Sequence, residues 1–203
     1  VTKNMYLSSG YPQQDLVEVE ALRFLYLDNF SSSKKIRNDN GLKNKVILVT
    51  CDYHPPTTHS QLNVLSLANK DIDQSIRFII KPHPACPINM MDFPGLRGEL
   101  SSRPIQELMK ICDVVYTSLV TSAAVDAYCA GLPVITFLDG KTLNLSPLRG
   151  TKGVHFVTNS KSLAKAVNTL EVADSNQKKN YFYLDSGLSY WYKWLTDNSD
   201  IDK

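Results

Sequence analysis

The segment KPHPACP, residues 81–87, places one histidine inside a proline-rich loop. Proline fixes φ at about −65°, so three prolines in six positions make this loop stiff and hold His83 in one orientation. An imidazole held in this way can donate a hydrogen bond to a phosphate oxygen, and it gains cationic character beside an anion. The loop therefore indicates a phosphate-binding group, although a histidine that only caps carbonyls of its own turn fits the same residues.

A second candidate is the hydroxyl-rich turn TSLVTSAA, residues 117–124. Thr121 and Ser122 stand at the predicted start of a helix whose next residues are small. A helix N-terminus carries unpaired N–H groups and a partial positive charge, and neighbouring hydroxyls add donors, so an anion can bind there. Ordinary N-capping explains the same two residues, and both interpretations stay open at this point.

Asp52 and two nearby histidines follow the first predicted strand. Asp52 can act as a base or bind an acceptor, but an aspartate at a strand end usually bonds to its own turn. His54 and His59 are five residues apart, which is poor spacing for two ligands on one helix face. We therefore expect no metal site here.

Two further loops carry weaker signals. The segment LDGKTLNLSPLRG, residues 138–150, contains Lys141, Ser146 and Arg149, and either cation can neutralise a pyrophosphate or a sugar carboxylate, or simply be solvated. The segment GLRGELSS, residues 95–102, names no ligand through its side chains.

Short apolar runs alternate with helix signals from residue 46 onward. Runs rich in β-branched residues predict strands at 46–50, 76–81, 114–117, 133–137 and 154–157. Between and after them, helices are predicted at 58–69, 104–112, 121–130 and from a cap at Asn159 or Ser160 to about residue 170. Thr58 and Gln61 form a capping-box pattern, and Gly131 with Pro133 predicts the end of the third helix.

Strands that are apolar on both faces and alternate with helices are typical of a parallel sheet covered on both sides. The sequence thus predicts an α/β fold with a Rossmann-like, doubly wound parallel sheet of about six strands. Ligands of such sheets bind outside the carboxyl ends of the strands, near the point where the strand order reverses. The loops that contain the candidate residues lie at that edge.

Composition and charge exclude several classes of protein. The 203 residues are 43% hydrophobic and 21% charged, which is ordinary for a globular domain. A net charge of +2 gives no electrostatic reason to expect a nucleic-acid partner. The four cysteines form no CxxC pair, no apolar run is long enough to span a membrane, and no signal pattern opens the chain. These features favour a cytoplasmic protein.

The span 76–137 resembles the C-terminal, donor-binding half of B-type (GT-B) glycosyltransferases. The stretch CDVVYTSLVTSAAVDAYCAGLPVITF is similar to that family's strand, Ser-rich turn, acidic helix position and Gly-x-Pro-Val-Ile strand. KPHP followed by paired hydroxyls resembles transferases with CMP-activated donors, among them bacterial sialyltransferases, Kdo transferases and teichoic-acid polymerases. KPHPACP and LRFLYL are also similar to bacterial surface carbohydrate (O-antigen) biosynthesis proteins.

The resemblance implies roles for individual residues. It implies that His83, with Lys81 of the same motif, contacts the donor phosphate and that Thr121 and Ser122, with Ser118 of the same turn, donate to it. Asp126 stands where related enzymes carry an Asp or Glu that holds ribose or sugar hydroxyls. The pattern departs from the family in two ways, since Thr121 replaces the first of two serines and the turn is two residues longer.

The resemblance adds two more expectations. Residues 95–102 lie where backbone groups read the nucleobase in this family, and Arg149 is the predicted cation for the donor. No metal or other cofactor is required if protein groups neutralise the leaving phosphate.

We expect three segments in the chain. Residues 1–45 are predicted to form a helix at 14–27 and a flexible connector, residues 46–175 the nucleotide-sugar-binding domain, and residues 176–203 an aromatic helical segment. The aromatic side chains from Tyr181 to Trp194 suit helix packing at a domain seam better than a membrane interface. Because the chain begins with Val1, we expect a fragment that binds without turnover.

The sequence thus predicts a glycosyltransferase, or its donor-binding domain, in bacterial surface polysaccharide assembly. Its expected partners are a nucleotide-sugar donor, which the resemblance implies is CMP-linked, a glycan or lipid-linked acceptor, and an N-terminal domain or partner subunit. We therefore expect the protein in the cytoplasm, or bound peripherally to the inner membrane. A non-catalytic nucleotide or sugar-phosphate binding module and a sugar-nucleotide epimerase remain as alternatives.

Overall fold

A parallel sheet forms the centre of the computed structural model, which describes residues 2–28, 30, 44–119, 121–169 and 182–197. Its strands are β1 (Val46–Thr50), β2 (Arg77–Lys81), β3 (Glu99–Leu100), β4 (Val114–Thr117), β5 (Val134–Phe137) and β6 (Val154–Val157). All neighbours pair in parallel, in the order β3-β2-β1-β4-β5-β6. The predicted doubly wound, six-stranded sheet is therefore confirmed, and its order reverses between β1 and β4.

The helices are α1 (Thr2–Ser8), α2 (Pro55–Ala68), α3 (Ile105–Ile111), α4 (Ala123–Cys129), α5 (Ser160–Thr169) and α6 (Ser189–Asp197). Helix α4 ends where the sequence predicted, because Gly131 adopts φ 78° and donates its N–H to the Tyr128 carbonyl. Asn159 caps α5 by accepting the Ser162 N–H at 2.9 Å, also as predicted. The predicted last residue of that helix, residue 170, lies outside the described residues.

Every residue of β1, β4 and β5 is buried, because these strands lie inside the sheet and are covered on both faces. The apolar runs that predicted them therefore form the core, together with Leu62 and Leu65 of α2 and Leu163 of α5. Gln61 extends from α2 and donates to the Thr50 carbonyl at 3.2 Å. This bond holds α2 against the carboxyl end of β1.

Helix α2 begins three residues earlier than predicted, so the capping box is wrong. Pro55 and Pro56 occupy its first turn, where a missing N–H costs nothing and a fixed φ suits the helix. Thr58 is consequently inside the helix and fully buried. Its hydroxyl donates to the Asp52 carbonyl at 2.9 Å and accepts the Asp52 N–H at 3.0 Å, which fixes the turn between β1 and α2.

The sheet belongs to the larger of two compact units, residues 31–178, and the smaller unit combines residues 1–30 with 179–203. The bounds of these units differ from the predicted segments, because residues 31–45 and 176–178 belong to the larger unit and the rest of the first and last segments forms the smaller one. Most of the predicted connector, residues 29 and 31–43, lies outside the described residues, as does Tyr181.

Within the smaller unit, the predicted helix at 14–27 is wrong. Two short 3-10 helices, Gln13–Asp15 and Leu22–Leu27, flank an extended stretch. The Ala21 N–H donates to the Tyr183 carbonyl at 3.1 Å, and the Trp191 indole donates to the Glu20 carbonyl at 2.9 Å. These distant partners take backbone groups that a helix would have paired locally, so tertiary contacts override helix propensity.

Glu20 is the buried link of this unit, with 1% of its surface exposed. Its carboxylate accepts the N–H groups of Tyr190 at 2.8 Å and Trp191 at 3.0 Å, and thereby caps α6. Burial by itself would raise the pKa of this carboxyl, but the hydrogen bonds outweigh it and hold the pKa below its usual value. The charged carboxylate therefore joins the early and late segments of the chain.

Candidate functional site

Asp52 lies at the carboxyl end of β1, where the strand order reverses, and 4% of its surface is exposed. Its Oδ1 accepts the His54 N–H at 2.9 Å, which is the turn interaction expected of an aspartate after a strand. Its Oδ2 accepts the Ser118 hydroxyl at 2.7 Å. This one carboxylate therefore joins the loop after β1 to the loop after β4.

A cavity of about 300 Å³ opens beside Asp52. Its wall comes from three neighbouring loops: Asp52, Tyr53, His54 and Thr57 after β1, Leu119 after β4, and Phe137, Asp139 and Thr142 with Leu143 and Leu145 from the end of β5 and its loop. Apolar side chains with a few convergent polar groups are typical of small-molecule sites. The cavity therefore lies where ligands of this fold class bind.

The loop from β5 to β6, residues 138–153, contains no helix or strand, and all of its residues are described. Loops of this length without secondary structure are usually functional. Asp139 organises its first turn, because its Oδ1 accepts the N–H groups of Lys141 at 2.9 Å and Thr142 at 3.0 Å and the Thr142 hydroxyl at 2.9 Å. These bonds hold the pKa of Asp139 below its usual value, so a charged carboxylate lines the cavity.

His83 is exposed in the loop after β2, and the structure gives its orientation. The Ala85 N–H donates to His83 Nδ1 at 3.1 Å, so the proton of the neutral ring is on Nε2. The imidazole also lies edge-on to Tyr53, with the ring centroids 6.2 Å apart. Because Tyr53 lines the cavity, this contact places a histidine N–H donor next to the cavity wall.

The predicted hydroxyl turn lies directly after β4. The Thr121 and Thr117 hydroxyls are 2.9 Å apart and share a hydrogen bond, and Thr121 is half-buried. Ser122 is the half-buried residue that precedes α4, and its side chain does not cap that helix. The predicted N-capping by Ser122 is therefore wrong.

The Ser118 hydroxyl is fully buried and donates to Asp52, so it faces the loop after β1.

Asp126 lies in α4 with 4% of its surface exposed. Burial first, and then the charge of Asp126, raise the pKa of the Cys129 thiol to about 12, so the two side chains are neighbours. Asp126 does not line the cavity. Its predicted contact with ribose or sugar hydroxyls stays a prediction.

The remaining predicted cations lie apart from the cavity wall. Lys81, the last residue of β2, is half-buried, and its carbonyl accepts the Cys51 N–H at 3.1 Å. Arg149 is exposed and donates to the Asn144 carbonyl at 3.2 Å, which stabilises its own loop. Lys141 is exposed, whereas the hydroxyl of buried Ser146 accepts the Leu148 N–H at 3.3 Å.

Residues 95–102, the segment predicted to read a nucleobase, contain the short strand β3. The Ser101 N–H donates to the Ile80 carbonyl at 2.8 Å, so part of this backbone is paired with β2. Gly98 has φ 145°, and a Cβ there would lie 3.0 Å from the Phe78 carbonyl oxygen. The glycine therefore permits the close approach of β3 to β2.

Sequence reasoning missed Tyr53, Thr57, Asp139 and Thr142 as parts of the site. The sequence predicts ligand contact by the cations of the Asp139 loop, whereas the structure places Asp139 and Thr142 in the cavity wall. The available signal was the Asp-Gly pair directly after a strand that is apolar on both faces, since such an aspartate fixes a turn at the ligand edge.

All four cysteines are free and buried. Burial, with the neighbouring Cys86 and Asp52, raises the pKa of Cys51 to about 12, so this thiol beside the site is a poor nucleophile. Within the described ranges, no group of three or more His, Cys, Asp or Glu side chains could hold a metal ion. Of the described helices, none is long and apolar enough to cross a bilayer.

No protein-family model matches the chain, and no curated protein matches it. Solved structures do. The S. aureus MnaA–UDP co-structure matches with a TM-score of 0.62 and 14% identity, over 96% of this chain and 57% of MnaA. CalG4, the calicheamicin glycosyltransferase, matches with a TM-score of 0.49 and 16% identity, over 66% of this chain and 35% of CalG4.

The glycosyltransferase SnogD from Streptomyces nogalater matches with a TM-score of 0.44 and 16% identity, over 61% of this chain and 37% of SnogD. The chain thus spans less than two thirds of each of these three structures. The MnaA match, together with the strand order, establishes the fold as a Rossmann-like half-domain of the GT-B type, as the sequence predicted.

Proposed function

We propose that this chain is the donor-binding half of a glycosyltransferase and that the carboxyl edge of its sheet binds a nucleotide-activated sugar. The observation that carries the proposal is the cavity of about 300 Å³ at the switch point, with walls from the loops after β1, β4 and β5. Ligands of doubly wound sheets bind at this place. MnaA, which has the same fold, was solved with UDP.

The reaction is displacement at the anomeric carbon of the donor sugar. An acceptor hydroxyl attacks that carbon, the bond to the phosphate oxygen breaks, and its electron pair leaves with the nucleotide. His83 presents Nε2–H toward the leaving phosphate, because Nδ1 is occupied by the Ala85 N–H. A donor placed where negative charge develops lowers the barrier, and such electrostatic stabilisation is often the largest contribution to catalysis.

The other residues of the proposal follow from the resemblance. Thr121 and Ser122 donate to the same phosphate, and Asp126 holds sugar or ribose hydroxyls. In the structure, the Ser118 hydroxyl donates to Asp52 and so fixes the start of this turn. Lys81 and Arg149 supply positive charge around the phosphates, and no metal is required. The base that takes the acceptor's proton comes from an N-terminal domain or a partner subunit.

More specifically, we propose that the donor sugar is linked to CMP and that the protein acts in bacterial surface polysaccharide or O-antigen synthesis. The KPHP loop and paired hydroxyls support this donor class. The acceptor is a glycan or a lipid-linked glycan. The protein acts in the cytoplasm or at the inner membrane surface.

Isothermal titration with CMP, UDP and GDP tests the proposal. We expect at least one nucleotide to bind more tightly than millimolar, with CMP preferred. His83→Ala is expected to weaken binding about tenfold or more, because a hydrogen bond to a charged group contributes about 1.5–3 kcal/mol. The matched control is His155→Ala, since His155 is exposed on β6 and does not line the cavity.

Two results would contradict the proposal: millimolar or weaker binding of all three nucleotides, or equal affinities of the wild type and His83→Ala. A tenfold preference for UDP over CMP would reject only the CMP-linked donor.

A further inference from the structure

The cavity wall contains two carboxylates and the imidazole of His54. Asp52 and Asp139 line it, and in the part of the chain that the structure describes no lysine or arginine does. The charge of Lys141 helps to lower the pKa of Asp139. Lys141 itself is exposed and does not line the cavity. The formal side-chain charge of the cavity wall is therefore negative.

Asp139 has one oxygen available to a ligand. Its three hydrogen bonds from Lys141 and Thr142 all reach Oδ1. Among the described residues, none donates to Oδ2. An ionised carboxylate only accepts hydrogen bonds, so this oxygen suits a hydroxyl and repels another carboxylate.

Apolar side chains supply much of the remaining wall, beside the polar groups of His54, Thr57 and Thr142. Leu119 follows β4, and Phe137 ends β5, and both are buried apart from the face that lines the cavity. A sugar ring has carbon-bound hydrogens on its faces and hydroxyls around its rim. An apolar wall beside a hydroxyl acceptor is complementary to that arrangement.

The order of the strands tells which part of a donor would reach this cavity. The predicted base-reading segment is at β3, His83 follows β2, and the cavity lies after β1, β4 and β5. Neighbouring strands are about 4.8 Å apart, so the step from β2 to β5 is about 14 Å. A donor laid out as base, phosphate and sugar along the sheet edge would place its sugar in the cavity.

Resting on the proposed function, we propose that this cavity holds the donor's sugar and selects an uncharged polyhydroxyl sugar over one that carries a carboxylate. Asp139 Oδ2 accepts a sugar hydroxyl, and the negative charges of Asp139 and Asp52 disfavour a second anion in the same cavity. This separates the donor classes of the resemblance. Sialic acid and Kdo carry carboxylates and are disfavoured, whereas donors with an uncharged sugar are accepted.

Titration with matched donor pairs tests the inference. The nucleotide that binds selects the pair: UDP-glucose with UDP-glucuronate, GDP-mannose with GDP-mannuronate, or CMP-N-acetylneuraminate with its methyl ester. Members of each pair share the base and phosphates and differ in the carboxylate charge. We expect the uncharged member to bind about 10- to 100-fold more tightly.

The variant Asp139→Asn assigns the preference to this side chain. Asparagine keeps an Oδ1 acceptor for the turn but removes the charge, so the affinity ratio should fall to about threefold or less. The matched control is Asp73→Asn, because Asp73 forms a similar turn with the Ser75 N–H at 2.7 Å but precedes β2 at the opposite edge of the sheet. Its ratio should equal that of the wild type.

Equal affinities within a pair, a preference for the carboxylated member, or an unchanged ratio in Asp139→Asn would each overturn the inference. The nucleotide titration separates this failure from that of the proposed function. If a nucleotide binds but the pair is not discriminated, only the sugar preference is wrong. If no nucleotide binds, the proposed function and the inference fall together.

Discussion

Asp113 and Asp52 stand at opposite ends of the same strand pair, β1 with β4. At the amino end, the Asp113 N–H donates to the Val46 carbonyl at 2.6 Å, and its Oδ2 accepts the Val46 N–H at 2.7 Å. At the carboxyl end, Asp52 accepts the hydroxyl of Ser118 from the loop after β4. Both aspartates are buried, and each joins one strand to the other.

The surroundings of the two aspartates differ. Asp113 has the buried Lys45 nearby as a counter-charge. Its hydrogen bonds are to Val46, the first residue of β1. Asp52 has a cavity beside it, and its bonds hold two loops that form the cavity wall. Burial of a carboxylate therefore does not by itself indicate function. The two aspartates differ in that Asp52 lines a cavity and Asp113 does not.

The largest expected effect is the loss of stability in Asp113→Ala. The buried Val46 N–H would lose its side-chain acceptor and Lys45 a nearby negative charge, so the free energy of unfolding should fall by about 3 kcal/mol. Urea denaturation followed by circular dichroism measures this loss. Nucleotide affinity of the folded variant should be unchanged.

The control for this change is Asp113→Asn, which keeps an acceptor for the Val46 N–H and removes only the charge. It should lose less stability than the alanine variant. Weaker nucleotide binding in the folded alanine variant would show that the amino end also supports the site, and the contrast between the two ends would be lost.

A smaller loss of stability, about 2 kcal/mol, is expected for Asp52→Ala, because the His54 N–H and the Ser118 hydroxyl lose their acceptor. Here nucleotide affinity should also fall, by about tenfold, since the loops after β1 and β4 are no longer joined. Calorimetric titration of the folded variant measures the second effect. The milder Ser118→Ala removes one of the two bonds and should produce a smaller change of both kinds; full affinity in Asp52→Ala would refute this role.

The smallest effect concerns the pH dependence at the amino end. Burial lowers the pKa of Lys45, and the charge of Asp113 opposes this only in part. The Lys45 ammonium group therefore loses its proton at a lower pH in the folded chain than in the unfolded chain. Because the unfolded chain binds more protons in this range, the free energy of unfolding should rise as the pH increases from the folded-state pKa toward 10.5.

Urea denaturation at several pH values, with Lys45→Met beside the wild type, measures the contribution of Lys45. The methionine variant should lack this rise. Lys70→Met, which changes an exposed lysine of the same unit, should behave as the wild type does. A rise of equal size in Lys45→Met would contradict the assignment.

The strands were predictable from local sequence because each central run is apolar on both faces. The predicted bounds of 46–50, 114–117 and 154–157 agree with β1, β4 and β6. The exposed strand Glu99–Leu100 was not predicted, since two residues are too few for a hydrophobic pattern and the strand is defined by its pairing with β2. Local patterns therefore gave the interior of the sheet but not this edge.

Long-range partners account for the other differences. Glu20 lies in a segment with good helix formers, but its carboxylate caps a helix 170 residues away, and no local pattern contains that information. The Asp139 loop depends in the same way on β5 pairing with β4, which places it beside the loops of Asp52 and Leu119. Strand order is needed before these residues can be grouped as one site.

The link between Glu20 and α6 has a consequence for the order of events during synthesis. Residues 31–178 leave the ribosome before α6 does, so the larger unit can fold first, as units generally do during translation. Prior folding of that unit shortens the chain that must close between Glu20 and Tyr190 and lowers its entropic cost. The smaller unit, which contains earlier residues, is therefore completed last, and nascent chains that end before α6 would leave the Glu20 carboxylate without those donors.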